Sequence, residues 1–243
     1  MIRKNFESPQ SGISAMKNIV LVHGAFTDGS CWAKIIPRLQ EKGYNAVAVQ
    51  NPMTSLAAEV SATKRMIALQ DGPVLLVGHS WGGVVITEAG NDPQVAGLVY
   101  LTAYAPEEGQ SANDAGAPFG WTEGQKQIRV DSEKFAYVTA EGMLENIAEG
   151  LPIAERKLAL AVQGQSYGPM FDEKVSVAAW KNKPTWAVVS TKDRMLQPEM
   201  QIAMAKRMNA MTTVIETCHM VILEEPAKVV KVLDQAAQQA LKS

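Results

Sequence analysis

The sequence predicts an α/β domain: a mostly parallel central sheet with helices on both faces, interrupted once by a helical cap insertion. Three observations carry this. Short apolar runs alternate with amphipathic stretches over residues 17–105; the alternation stops over residues 106–182; it resumes over residues 183–243. A length of 243 residues fits one large α/β domain or two small ones. The interrupted and resumed rhythm selects one sheet, with 17–105 and 183–243 as its core and 106–182 as a cap or lid.

The elements follow in order. "NIVLVHG" (18–24) reads as a buried strand, rich in β-branched residues and closed by glycine. "SCWAKIIPRLQEKG" places Trp32, Ile35, Ile36 and Leu39 at helical spacing and stops at Gly43. "YNAVAVQNP" is a strand halted by Pro52, and "SLAAEVSATKRMIALQDG" a helix with Leu56, Val60 and Ile67 on one side. "PVLLVG", "GGVVITEAGND" and "VAGLVYLTAY" repeat the strand–helix–strand pattern. The cap stretch is polar-rich, with helix-like pieces ("MLENIAEGL", "IAERKLALAVQ"). Its aromatic and methionine residues include Trp121, Phe135, Tyr137, Met143, Met170 and Phe171. These are expected to bury the cap against the sheet, some of them lining a cleft. Then come "PTWAVVSTKD" (strand), "QPEMQIAMAKRMNA" (helix), "TTVIETCH" (strand) and a final helix from Pro226 to Leu241.

Composition excludes several classes. Asp plus Glu number 25 against 23 Lys plus Arg, so no net field draws the chain to nucleic acid or an anionic membrane. No apolar run reaches the ~18 residues of a membrane span. Cys31 and Cys218 are too few for a disulfide framework and lack metal-ligand spacing, so no metal site is expected; they read as unpaired small hydrophobes. Residues 1–16 are polar and mixed, without the apolar block of a signal peptide, and read as a flexible tail. The expected location is cytoplasmic.

The chemistry sits in "VLLVGHSWGG" (74–83), where a buried strand runs into Gly78-x-Ser80-x-Gly82. A serine hydroxyl needs a base to take its proton. Of the three histidines, His79 adjoins the serine on the turn and should face elsewhere, and His23 ends the first strand as a loop brace near the pocket. His219, after the last strand, remains as the base. A carboxylate must orient that imidazole. Asp193, just past a strand end, is the best candidate, Glu107 the runner-up, and Glu216 lies too close along the strand. Oxyanion donors are expected at the N–H of Trp81, directly after the nucleophile, and of Ala25 in the loop after the first strand, with Phe26 as the fallback. Ser80 itself should sit at positive φ.

These motifs resemble the α/β-hydrolase superfamily over the chain after residue 16. "VLVHGAFTDGSCW", "VGHSWGG", "LVYLTAYAPEEG" and a histidine followed by Met220 resemble, more narrowly, the branch of methylesterases, hydroxynitrile lyases and small bacterial esterases. The resemblance implies a Ser80–Asp193–His219 triad, an Ala25/Trp81 oxyanion hole and no cofactor. Lyases of that branch carry threonine at the Gly24 position and lysine at the Met220 position; their absence favours ester hydrolysis. The pocket is expected to include His23, Gly24, Trp121 and Met220. The expected function is a serine carboxylesterase whose partner is a small, largely apolar ester. Non-ester chemistry on the same triad (C–C hydrolase, hydroxynitrile lyase, cofactor-free oxygenase) and a ligand-sensing receptor are the alternatives. Homodimerisation is compatible with the chain but not specified by it.

Overall fold

Six strands form one parallel sheet in the computed structural model, which describes residues 17–241; the tail read over residues 1–16 lies outside them. They are β1 (Asn18–Val22), β2 (Asn45–Ala48), β3 (Val74–His79), β4 (Val95–Leu101), β8 (Thr185–Ser190) and β9 (Met211–Ile215), in spatial order β2-β1-β3-β4-β8-β9. Every neighbouring pair runs parallel. The order reverses at β1, so a crevice opens between the carboxyl ends of β1 and β3, the position where open α/β sheets bind ligands.

Alternating side chains fill two cores. Ile19, Leu21, Leu75 and Val77 pack on one face with α1 (Ile36–Glu41) and α9 (Pro226–Ala240). Val20, Val22, Leu76 and Leu98 pack on the other with α2 (Leu56–Ala68), α3 (Gly82–Ala89) and α7 (Pro198–Arg207). Each such fully buried aliphatic side chain contributes about 2 kcal/mol. The strands are thereby held on both faces while the loops at their carboxyl ends are left free for chemistry. Among the described residues no helix is long and apolar enough to cross a membrane.

Two stretches differ from the sequence reading. The helix expected over residues 30–43 is split into a 3₁₀ turn at Gly29–Trp32, capped by the Asp28 side chain, and the short α1. Pro37 explains the break, because proline is accommodated in a first turn but not inside a helix. The insertion, read as helical, also carries a three-stranded antiparallel sheet, β5 (Ile128–Val130), β6 (Phe135–Val138) and β7 (Ser166–Tyr167). Strands of two to four residues show too few periods to be legible, and β7 pairs with β6 from far along the chain. The helices there are α4 (Ala112–Gly116), α5 (Ala140–Gly142), which runs into a π-helical turn over Met143–Ile147, and α6 (Ile153–Ala161); α8 (Val221–Glu224) follows β9.

Candidate active site

The elbow is built from its backbone outward. β3 ends at His79, and Ser80 takes φ 53°, the positive value expected of a residue held on a strained corner. Three hydrogen bonds hold it there. Its N–H donates to the Leu101 carbonyl at 3.2 Å, and its carbonyl accepts from the N–H groups of Gly83 (3.0 Å) and Tyr104 (3.2 Å). The flanking glycines have no room for a side chain: a Cβ on Gly78 would lie 2.5 Å from the Gly82 carbonyl oxygen, and one on Gly82 would lie 2.4 Å from that of Val22. Both obstacles are backbone, so Gly82→Ala is expected to destabilise the fold by about 3 kcal/mol, read as a lower urea midpoint at unchanged m-value. An unchanged midpoint would show that the elbow has slack.

Asp193, past the end of β8, and His219, past the end of β9, meet at the same edge. Both are buried, and His219 Nδ1 lies 2.8 Å from Asp193 Oδ2. The carboxyl is fully engaged. Oδ1 accepts from the N–H groups of Met195 (2.7 Å) and Leu196 (2.8 Å), and Oδ2 also accepts from Gln201 Nε2 (2.8 Å). Since a carboxylate oxygen accepts, Nδ1 carries the hydrogen and Nε2 keeps its lone pair. The His219 backbone is fixed as well: its carbonyl accepts from His79 Nε2 at 3.0 Å and Thr102 Oγ1 at 3.2 Å. Burial, with His219 as a second cause, pushes the His79 pKa down to about 3, so this ring is a neutral strut and not a base. Gln201, Thr102 and the strut role of His79 were not in the sequence reading. The only local signal was a polar residue on the buried side of α7.

Ser80, His219, Ala25, Phe26 and Trp81 line one cavity of about 400 Å³ with largely apolar walls. Among the described residues Ser80 Oγ and His219 Nε2 have no protein hydrogen-bond partner, and they do not bond each other. A longer resting separation that closes on substrate is common in such sites. The N–H groups of Ala25, Phe26 and Trp81 likewise have no acceptor among the described residues.

Of the expected pocket residues, Trp121 and Met220 line the cavity, Trp121 at its rim with 71% of its surface exposed. From the cap, Met143 and Phe171 join them. His23 and Gly24 do not, which corrects the sequence reading. His23 is turned away into the loop: its Nε2 accepts from the Asn51 N–H at 3.0 Å, and Nδ1 lies 2.8 Å from the Gly24 carbonyl. Burial holds its pKa below the usual histidine range. Gly24 backs onto the elbow, where a Cβ would lie 2.8 Å from that of Ser80. The alternative carboxylates are elsewhere: Glu107 pairs with Arg207 and Glu216 with Lys192 on the surface. Cys31 and Cys218 are buried and unpaired, and burial pushes both thiols up.

A parallel sheet carrying a serine elbow after β3, with a buried carboxylate–imidazole pair after its last two strands, β8 and β9, defines a hydrolase-type α/β architecture. The chain belongs to the alpha/beta hydrolase family, whose model matches residues 19–232. It is 30% identical over 205 residues to a probable hydrolase, R7, of Phoma sp., covering 75% of this chain and 80% of that one. To methylesterase 3 of Arabidopsis thaliana it is 29% identical over 173 residues, 59% of this chain and 64% of the relative. Crystalline tomato methylketone synthase I superposes with a TM-score of 0.81 at 21% identity, over 93% of this chain and 100% of that one, a likeness of fold. Relatives of this description support a hydrolase of esterase type.

Proposed function

We propose that this protein is a serine carboxylesterase that cleaves a small, largely apolar ester through an acyl-enzyme. The observation that carries the reading is that His219, held by Asp193 behind it, shares one apolar cavity with a serine at positive φ. In the proposed cycle Ser80 Oγ attacks the carbonyl carbon while its proton passes to His219 Nε2. The developing oxyanion takes hydrogen bonds from the N–H groups of Trp81 and Ala25, with Phe26 as the further donor in the same loop. The carbon–alkoxide bond then breaks, and His219 returns the proton to the departing alcohol. Water, deprotonated by His219, attacks the acyl carbon and releases the acid and a free Ser80. A cavity of about 400 Å³ with apolar walls suits a compact ester. Met220, lining that cavity, offers no cation to a departing anion, which favours hydrolysis over lyase chemistry.

Treatment with an alkyl fluorophosphonate is expected to attach one phosphonyl group, located at Ser80 by peptide mass spectrometry, with ester turnover lost in step. No adduct, or an adduct on another residue at full loss of activity, rejects the assignment.

A further inference from the structure

One carboxyl group in the molecule sits where an apolar side chain would be expected. Glu59 lies in the first turn of α2, on the inward side it shares with Leu56, Val60 and Ile67, and is fully buried. Its Oε2 accepts from the Trp81 indole Nε1 at 2.7 Å, while Oε1 has no partner among the described residues. Burying a carboxyl on so small a return is costly unless the group serves something else. Burial, above all, raises its pKa to about 8, so at neutral pH it is held as the neutral acid.

Its one partner is central to the site. Trp81 follows the serine, precedes α3, and lines the cavity while only 1% exposed. The indole meets Phe171 of the cap edge-on at 5.1 Å and 85°, and Phe171 in turn lies 6.2 Å from Phe26 of the loop after β1. These three rings form one continuous wall of the cavity, drawn from the elbow, the cap and the oxyanion loop. The indole is its shared member, and among the described residues Glu59 is the only hydrogen-bond acceptor of that indole.

We propose that Glu59 is a positioning residue of this site, which fixes the rotation of the Trp81 indole and so the wall that Phe171 and Phe26 complete against bound substrate. The proposal rests on the esterase reading for the identity of the ligand. It goes beyond that reading in assigning a residue of α2, outside every motif in the sequence, to substrate binding. Loss of the bond frees the indole to turn, which loosens the wall; the carbonyl chemistry at Ser80 is untouched. The effect therefore falls on KM and not on kcat.

Three variants test this with p-nitrophenyl hexanoate. Glu59→Leu removes the acceptor and is expected to raise KM about tenfold at nearly constant kcat, the size of one lost buried hydrogen bond. Glu59→Gln, the isostere of the neutral acid, keeps an oxygen for the indole and is expected to restore KM to within about twofold. Trp81→Phe keeps the ring without the N–H. It should reproduce the rise seen in Glu59→Leu, and combining the two should add nothing further. In parallel, the Trp81 indole ¹H–¹⁵N resonance is expected to shift in Glu59→Leu and to stay near its original position in Glu59→Gln.

A wild-type KM in Glu59→Leu, or a Glu59→Gln protein as impaired as Glu59→Leu, overturns the proposal. If Glu59→Leu does not fold, a wild-type KM in Trp81→Phe overturns it. Repeating the series in a Ser80→Ala background, where Kd for the same ester replaces KM, separates this inference from the esterase reading. Absence of turnover by the unmodified protein rejects that reading, while the tenfold change in Kd still decides the role of Glu59.

Discussion

Ser80→Ala is expected to lower kcat for short p-nitrophenyl esters by about 10⁶-fold, to the level set by substrate binding and the oxyanion donors alone. The size follows from the role proposed for the hydroxyl. It is the attacking group of that cycle, on a cavity wall that also carries an imidazole whose Nδ1 is already committed to a carboxylate. Without Oγ no acyl-enzyme forms, and water must attack directly without a group aligned to hold it. His219→Ala should cost nearly as much, because an unassisted hydroxyl is a poor nucleophile at neutral pH. The double variant should then be no worse than either single one, since the two groups act in one step. Steady-state kinetics on the three proteins read this directly. A Ser80→Ala protein that keeps more than about one part in a hundred of its kcat would place the chemistry elsewhere, and multiplicative losses in the double variant would mean that the two residues act in separate steps.

The parts of this site legible in the sequence are those that the backbone alone dictates. "VLLVGHSWGG" could be read because a buried strand, a crowded turn and a helix start each leave local marks, and because Gly78 and Gly82 answer to clashes with nearby main chain. Asp193 and His219 could be read because strand ends in a parallel sheet converge on one edge. What could not be read depends on contacts between distant elements. Gln201 reaches Asp193 from α7, Thr102 reaches the His219 carbonyl from the end of β4, and Glu59 reaches Trp81 across two helices. Local sequence marks at most a polar residue on the inward side of a helix, as at Gln201 and Glu59, and does not say which distant group it reaches. The misplacement of His23 and Gly24 has the same origin. Adjacency to Ala25 brought them near the cavity, but which side of a loop a residue faces is set by what packs behind it, here Asn51 and the elbow.

Asp193→Asn is expected to cost about 10⁴-fold in kcat while leaving the fold nearly as stable, and the hydrogen bonds around the side chain say why. An asparagine has one oxygen and one NH₂ to put where two accepting oxygens stood. With its oxygen towards His219, the NH₂ would face the N–H groups of Met195 and Leu196, stranding two buried backbone donors at roughly 1–3 kcal/mol each. With its oxygen towards those amides, the NH₂ faces Gln201 Nε2 and His219 Nδ1. Gln201 cannot turn over without cost, because its Oε1 accepts from the buried Ser190 N–H at 3.0 Å. His219 can adapt: by moving its hydrogen to Nε2 it offers Nδ1 as an acceptor and removes its own clash. The second arrangement therefore strands fewer donors and should prevail. It leaves Nε2 protonated, with no lone pair to receive a hydroxyl hydrogen in the cavity His219 shares with Ser80. Stability is kept and catalysis is lost, a separation that Asp193→Ala would not show, since it leaves the Met195 and Leu196 amides and His219 Nδ1 without an acceptor and Gln201 Nε2 with only the Leu196 carbonyl. The ¹⁵N shifts of the His219 ring in the two proteins report the tautomer directly. An Asp193→Asn enzyme with the original tautomer, or with more than a few per cent of its kcat, would mean that the carboxylate only braces the loop after β8 and takes no part in aligning the base.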